Sequence, residues 1–294
     1  VTVYDLDIRK WALQARDEVS LSSNLFIASV KWVNEFKHRH GIVSRKINKF
    51  VTQKSIPNKN QLEASANEFV ENVKQQILLV EKENIFNSDQ SGFNLEMHTG
   101  RTLAFKGTQT VESLAQSINS MTHSYTIQPL ISANGVLLSS LLIILQERNG
   151  TFGPIVQNNL FKSENVLVKA SNSGKLTSSL VRSWFQEVFL PASNEKSILL
   201  LDSWTVTATK EYLKIETIPA GTTGRIQSLD VFFFRPWKNF LRHFSDTVIL
   251  YKYNINLHLR NNIIKIQSLI HNQSSPPRFS NLISYAWYKS GYLE

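Results

Sequence analysis

The chain has 294 residues, of which 42% are hydrophobic and 19% are charged, and it contains no cysteine. This composition is typical of a globular protein with a sizeable core, and the missing cysteines exclude disulfides, thiolate zinc sites and cysteine nucleophiles. The net charge is +9, and residues 1–60 carry +6 of it. A basic N-terminal section on a nearly balanced body indicates a module that binds a polyanion, although a solvated basic face is the alternative.

The first fifty residues have the pattern of short helices. Apolar side chains recur at helical spacing in residues 6–21, and residues 29–41 form a second helix, capped by Ser29 and ended by Gly41. A third short helix is expected at residues 45–50. Short helices with cationic outer faces suit a helix-turn-helix, whereas a plain helical bundle is the other interpretation. The candidate DNA contacts are Lys31, Lys37, Arg39, Arg45, Lys46 and Lys49.

The middle of the chain connects this module to a larger domain. A polar stretch at residues 52–60 is typical of a linker, and residues 61–82 form an amphipathic helix that leads into the next domain. The longest apolar run, residues 135–145, is shorter than the roughly 20 residues that span a bilayer, so no membrane association is expected. That run is a buried strand or helix.

From about residue 84, short apolar runs alternate with turn signals. Strands are expected within residues 84–96, 101–107, 123–135, 164–171, 197–204 and 212–221. A helix capped by Thr177 fits residues 177–190, and another helix opens at Asp230. Residues 198–201 are a continuous apolar run that ends at Asp202, which indicates a strand buried on both faces. The pattern predicts a mixed α/β domain with flanking helices.

Three acids stand at the ends or breaks of these elements: Asp89, Asp202 and Asp230. Each alone has a structural explanation, since Asp89 and Asp202 could start turns and Asp230 could cap a helix. The alternative is that all three meet at one edge of the sheet. Carboxylates so crowded repel one another unless divalent cations lie among them, and oxygen ligands favour Mg²⁺ or Mn²⁺.

The N-terminal string "WALQARDE…FIASVKWVNEFKHRHGIVSRK" resembles the DNA-binding domain of centromere protein B and of pogo-like and Tigger-like transposases. That family has a Ser-x-x-Trp-x-x-x-Phe-x-x-Arg-His-Gly pattern in the second of two helix-turn-helix units, matched here by Ser29, Trp32, Phe36, Arg39, His40 and Gly41. The resemblance implies binding to double-stranded DNA by one such unit, with the usual upstream unit missing.

Three later blocks resemble the DDE superfamily endonuclease domain of pogo-like transposases: "NSDQSGF…RTLAFKGTQTV", "LLLDSW" and "PAGTTGRIQSLDVFFFRPWK". The family patterns are Asn-x-Asp-Gln-[Ser/Thr]-Gly, a strand ending in Asp, and Pro-x-x-Thr-x-x-x-Gln-x-Leu-Asp. Each family acid falls on an acid here, namely Asp89, Asp202 and Asp230. The resemblance implies a ribonuclease H-like fold in which these three aspartates are the catalytic residues and hold two Mg²⁺ or Mn²⁺ ions.

The sequence departs from the family at two places. Many relatives follow the second acid with Asn and then a His, whereas Ser203, Trp204, Thr205 and Val206 follow Asp202 here. The third block often has Pro where this chain has Ser228. These changes spare the carboxylates and are expected to loosen the contacts that support them.

The domains expected from these patterns are a centromere protein B-type DNA-binding domain (1–52), a linker and helix (53–83), the endonuclease domain (84–250) and a helical C-terminal tail (251–294). A nuclear transposase that cleaves and transfers DNA strands at transposon terminal repeats is the first hypothesis, with a homodimer as a further expectation. An inactive DNA-binding protein that a host kept for its own sites is the second. A metal-dependent nuclease or phosphatase unrelated to transposition is the third.

Overall fold

The computed structural model describes residues 5–43, 59–100, 102–103, 109–194, 196–202 and 213–294. The chain divides into two compact units, residues 1–56 and 57–294. In the described part of the chain, no helix combines the length and the apolar character that a bilayer crossing requires.

The N-terminal unit contains helix α1 (Asp5–Glu18) and helix α2 (Val30–Arg39). The predicted cap of α2 is confirmed, because the backbone N–H of Trp32 donates to Ser29 Oγ at 3.2 Å. Beyond α2, Gly41 has a φ of +63°, a left-handed conformation that glycine adopts without a Cβ penalty and that ends helices. These helices form the helix-turn-helix part of the fold.

Aromatic rings hold the turn between α1 and α2 against α2. The Phe26 ring meets the Trp32 ring edge-on at 5.0 Å, and Trp32 stacks on Phe36 at 5.2 Å between centroids. Val33, on the same helix, is buried. The third helix expected at residues 45–50 lies outside the described residues.

The second unit is a mixed sheet with helices around it. Its strands are β1 (Ile85–Ser88), β2 (Ser91–Asn94), β3 (Ser124–Ser132), β4 (Leu137–Gln146), β5 (Val166–Ser171), β6 (Ser197–Leu201) and β7 (Leu213–Thr217). Its helices are α3 (Lys59–Ile77), α4 (Pro154–Asn159), α5 (Ser178–Trp184), α6 (Leu190–Ala192), α7 (Thr223–Ile226), α8 (Phe234–Leu250), α9 (Arg260–Ser274) and α10 (Ser280–Lys289). The π-helical turn Phe185–Phe189 joins α5 to α6, and a second one, Leu229–Phe233, precedes α8.

The strand order is β5-β4-β3-β1-β6-β7, and β2 also pairs with β3. β3 is antiparallel to β1, β2 and β4, whereas β6 is parallel to β1 and β7. The run that the sequence marks as a doubly buried strand is β6, whose five residues are all buried between β1 and β7. The strand expected at 101–107 falls mostly outside the described residues, and only 102–103 can be compared with it.

Two hydrophobic cores cover the two faces of the sheet. One face packs against α3, α8, α9 and α10 and includes the fully buried Trp287. The other packs against the α5–α6 segment, whose predicted N-cap is confirmed by a hydrogen bond from the Leu180 N–H to Thr177 Oγ1. Helix α3, predicted as a connecting helix, supplies Ala66 and Val73 to the first core.

The segments β1 and β2 are one strand with a break in it. Both pair with β3 in a single register, Ser88 with Leu130 and Ser91 with Ile127, so Asp89 faces Pro129. Proline has no N–H to donate, which removes a hydrogen bond from the ladder at that point. The strand is therefore interrupted at Asp89, and this frees the aspartate from regular pairing.

Candidate active site

Parallel pairing places two of the predicted acids side by side. The register of β1 and β6 pairs Ile85 with Ile198 and Asn87 with Leu200. Continued by two residues, the same register sets Asp89 opposite Asp202, each just beyond the end of its strand. Neighbouring strands are about 4.8 Å apart. Both carboxylates thus start from adjacent backbone positions at one edge of the sheet.

The third acid is brought to this edge by hydrogen bonds that converge on β1. The side chain of Asn87 donates from Nδ2 to the Leu200 carbonyl at 3.1 Å and accepts at Oδ1 from the Leu229 N–H at 3.2 Å. Gln227 Nε2 donates to the Ser88 carbonyl at 3.1 Å. Hydrogen bonds therefore join residues that lie one to three positions before Asp89, Asp202 and Asp230. Asn87 and Gln227 are fully buried, so these bonds are shielded from water.

Asp230 is the second residue of the π-helical turn Leu229–Phe233, and the long helix α8 follows it directly. The sequence predicts a helix opening at this acid, and the turn confirms it. Single π-helical turns within helices occur often at functional sites. The N–H of Leu229, one of the donors that a helix start leaves without an intrahelical acceptor, is satisfied by Asn87.

Burial and neighbouring charge act together on Asp89. Burial, together with the negative charges of Asp230 and Asp202, raises the pKa of the Asp89 carboxyl to about 8. A hydrogen bond from the Gln90 N–H to Asp89 Oδ1, at 2.8 Å, acts in the opposite direction. The three aspartates thus lie within electrostatic range of one another, and holding Asp89 ionised costs free energy.

A lysine that sequence reasoning did not single out completes this cluster. Burial raises the pKa of the Asp230 carboxyl. The positive charge of Lys238 on α8 opposes this rise, and the negative charge of Asp202 adds to it. Burial also lowers the pKa of Lys238, while the negative charges of Asp230 and Asp89 counteract that effect. Lys238 Nζ lies 5.1 Å from the centroid of the Phe93 ring. Lys238 belongs to the third block and follows Asp230 by eight residues, about two helical turns. This spacing between a basic residue and an acid is the sequence signal that could have identified it.

The donors around this edge suit a hard divalent cation, because the carboxylates offer only oxygen and lie in a site that penalises their charge. Within the described residues, no three His, Cys, Asp or Glu side chains are arranged closely enough to hold one ion. The charges of neighbouring aspartates raise the pKa of Asp89 and of Asp230, and the assignment of Asp89, Asp202 and Asp230 as metal ligands stays a prediction.

Ser228, the residue that replaces the family's proline, leaves a buried hydroxyl without a hydrogen-bond partner among the described residues. Its φ of −57° is one that proline adopts, and Gln227 before it is extended, with φ −81° and ψ 107°. Ser228→Pro should therefore raise the free energy of unfolding by about 1 kcal/mol, because it removes the unsatisfied hydroxyl and restricts the unfolded chain. Urea unfolding of both proteins measures this, and a destabilised variant would show that the ring does not fit.

The predicted DNA contacts lie in the N-terminal unit. Lys31 is largely exposed, and its Nζ lies 3.9 Å from Glu35 Oε1. Arg39 is also exposed. Lys37 is less available, because its Nζ donates to Asp5 Oδ2 at 2.7 Å and its side chain is only 24% exposed. Arg45, Lys46 and Lys49 lie outside the described residues. The roles of these cations in DNA binding stay predictions.

Comparison with known proteins gives two family matches. The DDE superfamily endonuclease family matches residues 131–278, just over half of the chain, and this range includes Asp202 and Asp230. The Tc5 transposase DNA-binding domain matches residues 2–46. The sequence therefore combines a transposase-type DNA-binding domain with an endonuclease domain. No curated protein matches the chain.

Solved structures of one transposase are similar to this chain. The crystal structure of the Mos1 mariner paired end complex with Mn has a TM-score of 0.50 at 10% identity, covering 98% of this chain and 75% of that one. The Mos1 strand transfer complex has a TM-score of 0.45 at 12% identity, covering 99% and 79%. The first likeness confirms the predicted ribonuclease H-like fold. With the family match over its larger unit, the chain belongs to the DDE superfamily endonuclease family.

Proposed function

We propose that this protein is a transposase-type enzyme that cleaves and transfers DNA strands with Asp89, Asp202 and Asp230. The main support for the proposal is that the segments carrying the three acids are bonded to one another at one edge of the sheet. The β1–β6 register sets Asp89 beside Asp202, and the two hydrogen bonds of Asn87 tie the start of the Asp230 turn to the same strands. This arrangement supports a site in which three acids separated along the sequence act on one phosphodiester group.

The proposed cofactors are two Mg²⁺ or Mn²⁺ ions, which when bound would activate a water or 3′-hydroxyl and stabilise the leaving oxygen. Support comes from the electrostatics of the site, where the pKa of Asp89 is raised to about 8 by burial and by its two acidic neighbours. A cation between the carboxylates would offset that repulsion. The structural neighbour with a TM-score of 0.50 is a paired end complex with Mn.

The proposed partner is double-stranded DNA, bound by the N-terminal unit at transposon terminal repeats or at a host site. The match to a transposase DNA-binding domain and the exposed cations Lys31 and Arg39 support this. The same neighbour was crystallised with paired ends, which is consistent with a homodimer here. A nuclear location and the centromere protein B-type assignment of this unit belong to the same proposal.

A second candidate function is sequence-specific DNA binding without catalysis, as in a domesticated protein resembling centromere protein B. Two observations favour it. Asp202 is followed by residues that lack the Asn and His of many relatives, and the hydroxyl of Ser228 is buried without a partner among the described residues. Imperfect support of the acids would lower activity sharply, because small misplacements are costly in such sites.

Cleavage of DNA separates the two candidates. The protein is incubated with duplex DNA carrying the inverted repeats that flank its gene, in Mg²⁺ or Mn²⁺. We expect the wild-type protein to nick this DNA and Asp202→Asn to lower the nicking rate by at least about 100-fold, because the variant loses one metal-binding oxygen. DNA binding by the variant should be unchanged in a gel-shift assay. Wild-type binding without nicking would establish the DNA-binding function instead.

A further inference from the structure

A small cavity lies behind the acids, between the end of β6 and the α5 helix. Its volume is about 10 Å³, and its walls include Asp89, Asp202, Gln128 and Trp184. The other lining residues are the polar Ser88 and Gln90 and the apolar Leu176, Val181 and Leu201. A water molecule needs roughly 10–15 Å³ of space that a water-sized probe can reach. The cavity therefore fits one water and excludes a phosphate or a hydrated metal ion.

Two of the lining residues each carry a buried polar atom with no hydrogen-bond partner among the described residues: the Trp184 Nε1–H, a donor, and Gln128 Oε1, an acceptor. Trp184 is 0% exposed and Gln128 is 4% exposed. Leaving such a group unpaired costs about 1–3 kcal/mol, so buried polar groups in native proteins are almost always satisfied by protein or by water. A donor and an acceptor on one cavity wall are the partners that a water requires.

The orientation of the Gln128 amide follows from its neighbour. Gln128 Nε2 lies 3.3 Å from Ser88 Oγ, and that hydroxyl donates its own proton to the Pro129 carbonyl at 2.8 Å. Ser88 Oγ can then only accept from Gln128, which fixes the amide nitrogen on the Ser88 side. The carbonyl oxygen Oε1 is left as the free acceptor.

We propose that Trp184 and Gln128 hold one ordered water that positions the carboxylates of the acid site. The water accepts from the Trp184 Nε1–H, donates to Gln128 Oε1 and directs its second proton to the wall formed by Asp89 and Asp202. Three hydrogen bonds are the usual number for a buried water. Trp184 is thus a positioning residue, and this role rests on the proposed metal-dependent function of the acids.

The water is tested directly on the full-length wild-type protein labelled with ¹⁵N in its six tryptophan indoles. The Trp184 indole signal, assigned by its loss in Trp184→Phe, should show a rotating-frame cross-peak to a long-lived water. This measurement requires neither metal nor DNA. An indole proton without a water cross-peak would overturn the proposal.

The positioning role is tested by Mn²⁺ titration calorimetry. Trp184→Phe keeps an aromatic ring and loses the N–H, so it should weaken Mn²⁺ binding roughly 3- to 10-fold. The matched control is Trp287→Phe, which removes another fully buried indole N–H without a partner among the described residues, on α10 away from the cavity wall. Equal Mn²⁺ affinities in the two variants would contradict the positioning role. A water cross-peak in a protein that binds no Mn²⁺ would retain the water site and reject the proposed function.

Discussion

Asn87→Ala should lower the free energy of unfolding by about 3–5 kcal/mol and reduce DNA cleavage by at least about 100-fold. The side chain is 0% exposed and hydrogen-bonds both the Leu200 carbonyl and the Leu229 N–H. Alanine leaves both backbone groups short of a buried partner and opens a small cavity. Because these bonds join the segments that carry Asp202 and Asp230, the acids should also lose their relative positions.

The control for this variant is Asn94→Ala on β2. Asn94 is exposed, and its Nδ2 makes one hydrogen bond to the Met121 carbonyl at 2.6 Å. We expect that substitution to cost less than about 1 kcal/mol, since exposed groups exchange their partners with water. Chemical unfolding gives both stabilities. If Asn87→Ala proves too unstable to purify, Asn87→Asp keeps the acceptor for Leu229 and still removes the donor to Leu200. Cleavage at the wild-type rate by either Asn87 variant would contradict the account.

Asp89→Asn should stabilise the protein at pH 9 by about 2–4 kcal/mol in the absence of divalent cations. The ordinary pKa of this carboxyl is 3.8, and in the folded protein it is raised to about 8. As the pH rises from about 4 to 8, the unfolded chain releases this proton and the folded protein retains it. Stability is therefore greatest below the unfolded pKa and is lost progressively up to the folded pKa. Asparagine carries no such proton and removes this loss.

The measurement is the free energy of unfolding of wild type and variant from pH 4 to pH 9. The two curves should nearly meet at low pH and separate toward pH 9. Glu71→Gln, which changes an exposed carboxylate on α3, is the control and should leave the curve unchanged. Mn²⁺ should raise the stability of the wild type at pH 8 and leave Asp89→Asn unaffected, because only an ionised Asp89 binds the ion. If the curves of wild type and Asp89→Asn stayed parallel from pH 4 to pH 9, that result would contradict the raised pKa of Asp89.

Local sequence patterns were sufficient where the stabilising contact is local. Ser29 and Thr177 were identified as helix caps because each lies three residues before the N–H that it accepts from. The run before Asp202 predicts a central strand because its four consecutive apolar residues are typical of a strand buried on both faces, and β6 confirms it. The order of the acids came from the family resemblance.

Local sequence patterns cannot show contacts between residues that are far apart along the chain. Asn87 and Leu229 are 142 positions apart, and the residues next to them in the sequence do not predict the hydrogen bond between them. The same holds for His98, whose ring lies between Glu96 and Asp246 with nitrogen–oxygen distances of 2.8 and 2.7 Å. The sequence does not single out Lys238, because its proximity to Asp89 depends on how α8 packs at the sheet edge. Tertiary packing, rather than propensity, determines these positions.

The central claim is that Asp89, Asp202 and Asp230 together hold divalent cations, and anomalous diffraction from crystals grown with Mn²⁺ and terminal-repeat DNA tests it most directly. The account predicts Mn²⁺ peaks within about 2.0–2.3 Å of oxygens from all three carboxylates, with paired peaks roughly 3.5–4 Å apart. Manganese bound elsewhere, or ligated by Asp89 and Asp202 while Asp230 remains distant, would contradict it.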